Sequence, residues 1–438
     1  MPMNLKKYSA DKIALLGLLL LGFLIAQIII STGRGIKLSG PVSLAKSGLS
    51  VQIPKGDSWK NTDWLYNENR FHLFSILSLN SQQVVWVQWQ YLLTPAEADP
   101  AEQIKQRKLH YKGQLANTSQ KNIGSLVMDW GHITAKGKIE TVFFGVVKLN
   151  QHRTVTLEVV QKAGLGDLAK EVFDAIAESI SFQDNKLLAD GAEFAGNFKD
   201  GRIADILYGK DTHKYFLIDS ETGQTSGFIA EAMAQTEDDD GQAAVGVVSL
   251  YNINEPTGGS EQSVFSSGMF LDTFHWVNKS TNTQGRTKAA TDITLNQQGI
   301  VTIQNPISRQ AGQFAFGATA IPEALLELVL IDFIDSDYER IILDLIHSSG
   351  LVVSAVISKV DYQNNNAPLE DAAYVVKVNF LDAEQNHYLM YFDSSKNIVR
   401  IDVKGDSNYR IERTSKETVL EKFTEWQQQI SQIDTSFR

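Results

Sequence analysis

Few residues in this chain stand at the spacing that chemistry requires. Gly201, Gly209 and Lys210 have the composition of a phosphate loop, but the spacing is wrong, and Asp211 stands where Ser or Thr is needed. Gly223-Gln-Thr-Ser226-Gly227 is one residue too long for a nucleophile elbow. The eight histidines include no His-x-x-x-His or His-Glu-x-x-His, the spacings that put two imidazoles on one helix face for zinc. His213 and His387 draw notice because each opens a β-like run that ends in Asp-Ser, at Asp219-Ser220 and Asp393-Ser394. A histidine that starts a strand and bonds its own turn accounts for both. Asp335-Ser-Asp337-Tyr-Glu339 alternates acids as a calcium loop does, yet Arg340 replaces the sixth-position glycine and Ile346 the twelfth-position acid. Glu237 to Asp240 reads as a solvated turn. No catalytic residue, cofactor site or metal site is therefore expected. A non-enzymatic protein is the reading, and a hydrolase of unknown type is the remaining enzymatic alternative.

Composition narrows the classes further. With no cysteine, disulfides, thiolate metal sites and cysteine nucleophiles are excluded together. A net charge of −11 argues against nucleic acid and against a broad electrostatic hold on anionic lipid. Tryptophan is more informative. Trp59 follows a turn, and Trp86 and Trp89 fall on opposite faces of one alternating strand within residues 84–93. One of that pair should enter the core; an exposed one anchors an interface. All three are candidate protein-interface residues.

The elements that must position these residues begin with an apolar run, residues 13–31, which has no charge. As a helix it spans roughly 28 Å, close to the hydrocarbon thickness of a bilayer. Ile13, Leu18, Leu20, Phe23, Ile28 and Ile30 are its candidate lipid-facing residues. Lys6, Lys7 and Lys12 precede it and Arg34, Lys37 and Lys46 follow, so charge barely orients it. The short residues 1–12 favour a cytoplasmic tail with the large C-terminal part exported. A cleavable signal peptide is the rival, but the run is long and no small-x-small site follows. An exported chain without cysteine points to the bacterial envelope, with residence in the inner (cytoplasmic) membrane. Residues 32–47 read as a tether.

The first folded unit, residues 48–183, opens on Leu49-Ser-Val-Gln-Ile-Pro54. Strand patterns follow over 71–79, 84–93, 125–129, 141–149 and 155–161. One helix is expected from Pro100 to about Tyr111, with Asp99 as cap and Glu102 in its first turn. A second carries Leu168, Val172, Phe173, Ile176 and Ile180 on one stripe. The opening strand and turn, Trp59, and the closing Phe-Asp-Ala-Ile-Ala-Glu-Ser-Ile-Ser-Phe182 resemble the PsbP-like family. That resemblance implies an α/β/α sandwich that binds and assembles other proteins, and it carries over no catalytic set.

Residues 184–197 read as a polar boundary, and 198–438 as a β-rich second unit. Within it a helix over 321–334 is apolar on nearly every face, too short to cross a membrane, and so must be buried. The echo between His213–Ser220 and His387–Ser394 is consistent with an internal duplication or with chance. A final helix is expected over 415–433. A half-barrel curled round helix 321–334 resembles lipoprotein carriers, and Leu326, Leu330 and Phe333 are the candidate lining of an apolar cavity for a lipid ligand. The expected class is therefore α+β: a transmembrane helix, a PsbP-like sandwich and a half-barrel. The expected function is a membrane-anchored extracytoplasmic binding or assembly protein, with the bilayer and a protein as partners. A lipid carrier is the alternative.

Overall fold

The computed structural model describes residues 36–437 apart from 68, 94–98, 136, 152, 163–166, 209–212, 238–240, 254–258, 283–285, 362–370, 383–384 and 406–407. The apolar run 13–31, with Ile13, Leu18, Leu20, Phe23, Ile28 and Ile30, lies outside the described residues. Among the described residues no helix is long and apolar enough to cross a membrane.

The first large sheet has eight strands. Its path runs Trp59–Asn61, Arg70–Leu79, Gln82–Leu92, Thr154–Lys162, Ile139–Lys148, Leu126–Thr134, Gln114–Ile123, and Leu65–Asn67 also pairs with Arg70–Leu79. Period-two alternation builds its core. Val85, Val87, Trp89 and Tyr91 are buried, and Trp89 stands between Leu73 and Leu157 on its neighbours. Asp99 caps the helix Pro100–His110 by accepting from the Ala101 N–H at 3.1 Å. That helix sets Ile104 against Phe144 and Val146. The helix Leu168–Ala177 buries Val172, Phe173 and Ile176.

The second sheet has fifteen strands and is made of two meanders. Eight strands run in order from His213–Ser220 to Gln310–Ala315, and seven from Ala320–Pro322 to Tyr409–Thr414. The two join where Phe216 pairs with Arg413. At about 4.8 Å per strand the sheet would be roughly 70 Å wide if flat. Its two edge strands, however, end at Ala315 and begin at Ala320. Five residues reach at most about 18 Å. The sheet must therefore curl back on itself, leaving one unpaired seam.

The seam is covered from the segment that the sequence left as a boundary. Residues Lys186–Asn197 form a helix, with Asn185 accepting from the Leu187 N–H at 3.0 Å. A Cβ at Gly191 would lie 1.9 Å from the Ile342 carbonyl oxygen, so only glycine lets this helix lie against that strand. Lys199 then donates to the Gly317 and Ala318 carbonyls at 3.2 and 3.3 Å, within the residues that bridge the edges. A helix over an exposed edge blocks pairing with other chains.

On the concave side lies the helix Leu326–Asp335, with Leu328, Val329, Leu330, Ile331 and Phe333 all buried. The convex face around Phe228, Ala230, Ala232, Val248 and Leu250 is covered by Val419, Phe423, Ile430 and Ile433 of the C-terminal helices.

The α+β class expected from sequence is thus corrected. Strand makes up 52% and helix 21% of the structure, in large sheets, so the protein is mostly β. An α/β/α sandwich over 48–183 fails as a description for a physical reason. Helices of 11 and 10 residues are about 15 Å long, and they pack chiefly on three of the eight strands rather than forming complete layers. The strand Gln114–Ile123, polar and exposed along nearly its whole length, was not expected at all. The expected helix 321–334 is in fact a strand (Ala320–Pro322), a 3-10 turn (Glu323–Leu325) and the helix Leu326–Asp335. The single helix over 415–433 is broken at Phe423 into Lys416–Lys422 and Gln427–Thr435.

Candidate functional site

Alternation along the strand Thr225–Glu237 turns Phe228, Ala230 and Ala232 outward to the C-terminal helices. Ile229, Glu231 and Met233 then face the concave side. Register extends this across the sheet. Lys214 is opposite Glu231, Glu231 opposite Ser249, Ser249 opposite Ser263, and Ser263 opposite Asn278. A polar row therefore crosses five adjacent strands inside the curled sheet. An apolar row, Met233, Val247, Phe265 and Trp276, runs beside it.

Between these rows and the first turn of the buried helix is a cavity of about 310 Å³. Its walls include Phe216, Ile229, Met233, Trp276, Leu326, Met390 and Ile401, drawn from strands on both sides. Every formally charged residue lining it is a carboxylate: Glu231, Glu261, Glu323 and Glu327. Their partners stand behind the wall, except Ser348, which also lines it. Lys214 Nζ donates to Glu327 at 2.5 Å and lies 3.8 Å from Glu231. His347 Nδ1 is 3.1 Å from Glu323. Glu261 accepts from Asn278 Nδ2 at 2.8 Å and Ser348 Oγ at 3.0 Å. Trp276 Nε1 donates to Ser263 Oγ at 2.5 Å, which holds the indole in the wall.

Burial is the largest influence on these acids. It pushes Glu231 above its ordinary range, opposed by Lys214 and reinforced by Glu327. Glu323 is likewise pushed up by burial, against the pull of His347. Burial would lower Lys214, but Glu327 and Glu231 outweigh it and its affinity for the proton rises. Glu231 keeps 24% side-chain exposure, the value expected of a residue on a cavity wall.

A second cavity, about 430 Å³, lies further along the same concave face, lined by Tyr66, His347, Phe380, Asp382, Tyr388 and Lys404 among others. Tyr388 belongs to it, and Met390, two residues on and on the same side of the strand, belongs to the first. The His347–Glu323 pair stands where the two approach. Tyr66, from the first sheet, donates to the Val352 carbonyl, and Asn69 Oδ1 accepts from the Val352 N–H at 2.6 Å. The hairpin of one sheet is thereby fastened to the end of the other.

The residues singled out from sequence divide. Leu326 lines the cavity, whereas Leu330 and Phe333 are in closed packing, Phe333 edge-on to Phe194 at 6.0 Å. The interface role for Trp89 is corrected: at 0% exposure it is core, because its face of the strand meets Leu73 and Leu157. Trp86 is half-buried against Ile133, Val142 and Val160, and Trp59 packs on the edge of the main core. His213 and His387 each begin a strand, and the structure does not bring them together. The four glutamates were missed by sequence reasoning. A lone acid inside Phe-Ile-Ala-Glu231-Ala-Met was the available signal, since a charge in an apolar strand needs a reason. Among the described residues no group of three or more His, Asp or Glu could hold a metal ion.

No family model matches this chain, and no curated protein matches it. Solved structures with some likeness include a β-barrel-like protein of a domain of unknown function, DUF1849, from Brucella abortus. It is 11% identical over 46% of this chain and 96% of its own, with a TM-score of 0.34. A protein from Bacteroides thetaiotaomicron VPI-5482 is 9% identical over 41% of this chain and 63% of its own, with a TM-score of 0.22. At these scores neither carries an inference about function.

Proposed function

We propose that this protein is a non-enzymatic binding module of the bacterial envelope whose curled fifteen-stranded sheet holds a small amphiphilic molecule. The carrying observation is the cavity of about 310 Å³ beside Leu326, with apolar walls and a few convergent polar groups. Small-molecule sites have this make-up, and their volumes begin at about 300 Å³. Placement in the envelope rests on residues 13–31 and on the cysteine-free composition. The reading that the sequence put first, a protein partner held on a sheet face, has less support. Trp89 is buried, and Trp59 and Trp86 pack on neighbours within the first sheet.

The test is recovery of a bound molecule. The full-length protein and a Ser249→Phe variant, which fills the cavity from its wall, are purified from native membranes in lipid nanodiscs. Extracts are then compared by mass spectrometry. A near-stoichiometric small molecule present with the wild type and lost from the variant is expected. Equal yields from the two would rule the proposal out.

A further inference from the structure

The walls of the lumen hold more negative charge than their partners neutralise. Four carboxylates line the chamber; among the described residues Lys214 is committed at 2.5 Å to Glu327, and His347, a cation only when protonated, is bonded to Glu323. Glu261 is held by two neutral donors, Asn278 and Ser348, which fix its position without cancelling its charge. Glu231 has its nearest cation 3.8 Å away, and that cation's short bond goes elsewhere. An uncompensated carboxylate beside apolar walls is costly to desolvate unless a cation or a proton joins it.

The chamber is also a built one rather than an acidic patch. Its walls come from strands on both sides of the curled sheet and from the buried helix, and they are apolar around the acids: Phe216, Met233, Trp276, Leu326, Met390 and Ile401. An anionic amphiphile would set its head against Glu231 or Glu261. A neutral one would leave Glu231 to take up a proton and Glu261 to its two neutral donors. A cationic head answers them, while its apolar body lies on the wall.

Resting on the binding proposal above, we infer that the lumen selects an organic cation, an amine-headed amphiphile with its ammonium against Glu231, the acid to which Lys214 makes no short bond, and its tail along Leu326 and Met390. A membrane protein in such a role would discriminate by charge first and by tail second, since like charge across the same space costs more than a methylene mismatch.

The test reads one residue of the wall. The full-length protein in nanodiscs is labelled with 5-fluorotryptophan, and the Trp276 fluorine resonance is assigned by its loss in Trp276→Phe. Octylamine, octanol and octanoate, equal in length and different in charge at pH 7, are titrated in turn. Octylamine is expected to shift the resonance at a concentration at least tenfold below octanoate, with octanol between. Glu231→Gln should raise the amine midpoint about tenfold and leave octanol unchanged, which also shows that the variant is folded. Octanoate binding as well as the amine, or an amine midpoint insensitive to Glu231→Gln, overturns the cation assignment and leaves the binding proposal standing. A resonance that none of the three moves overturns both.

Discussion

Two charge clusters in this molecule each set a basic side chain against carboxylates, and they differ in how completely the charges match. At the junction of the two sheets, Arg153 and Asp344 are each 2% exposed, and one Arg Nη2 reaches both carboxylate oxygens at 2.8 and 3.0 Å. Thr319 and Ser354 hydroxyls donate to the same carboxylate, and Arg153 Nη1 donates to the Leu93 carbonyl at 3.2 Å. Cation and anion match one to one, and Asp344 lines no described cavity. In the lumen, Lys214 faces both Glu327 and Glu231, and both acids line open space. A matched pair in close packing completes a structure. A mismatched set on a cavity wall leaves something for a ligand to complete.

Three experiments press on that contrast. The largest effect is expected at the junction. Asp344→Ala strands the Arg153 guanidinium without its partner, at a cost of about 3–5 kcal/mol in unfolding free energy. The double change Arg153→Met with Asp344→Leu should recover most of it, as read from urea denaturation midpoints. A double variant as unstable as the single one would mean that shape, not charge, holds the junction.

A smaller effect separates packed from open positions on one helix. Leu330→Ala removes a side chain in closed packing and should cost about 3 kcal/mol, within the usual span for such truncations. Leu326→Ala lies on an existing cavity, forfeits fewer contacts, and should cost roughly half as much. Equal losses in the two variants would argue that the chamber collapses in solution.

The smallest effect is a pH dependence. Burial raises Glu231 in the folded state, so the native protein binds this proton more tightly than the unfolded chain does. Stability from that proton is present below the ordinary carboxylate range and is lost as pH rises through the raised value. Lys214 on the paired strand and Glu327 on the helix are the charged groups facing it. Glu231→Gln has no such proton to lose. Its stability relative to wild type should therefore increase from pH 4.5 to pH 8 in parallel denaturation series. A difference that is flat with pH would place Glu231 in water and remove it from the wall.

Much of the local structure was legible in the sequence. Alternation over 84–93 marked a strand, Asp99 was a visible cap, and Leu168 to Ile176 showed the helix stripe that is buried. The helix Lys186–Asn197 was missed although Leu188, Gly191, Phe194 and Ala195 share one face, because Gly191 and Gly196 with the charged residues around them read as a boundary, and Gly191 acquires its meaning from a strand 150 residues away. Gln114–Ile123 was missed because a polar edge strand has no apolar face to announce it.

By itself, then, the chain determined what neighbours along it can decide: caps, stripes, alternation, the cysteine-free chemistry and the acidic balance. Only the tertiary structure decided that Lys214 faces Glu231, that Arg153 meets Asp344 across 191 positions, and that fifteen strands curl until one short connection joins their two edges. The reason is physical. Periodicity records which face a residue takes, whereas register and closure depend on partners whose distance in sequence leaves no local trace.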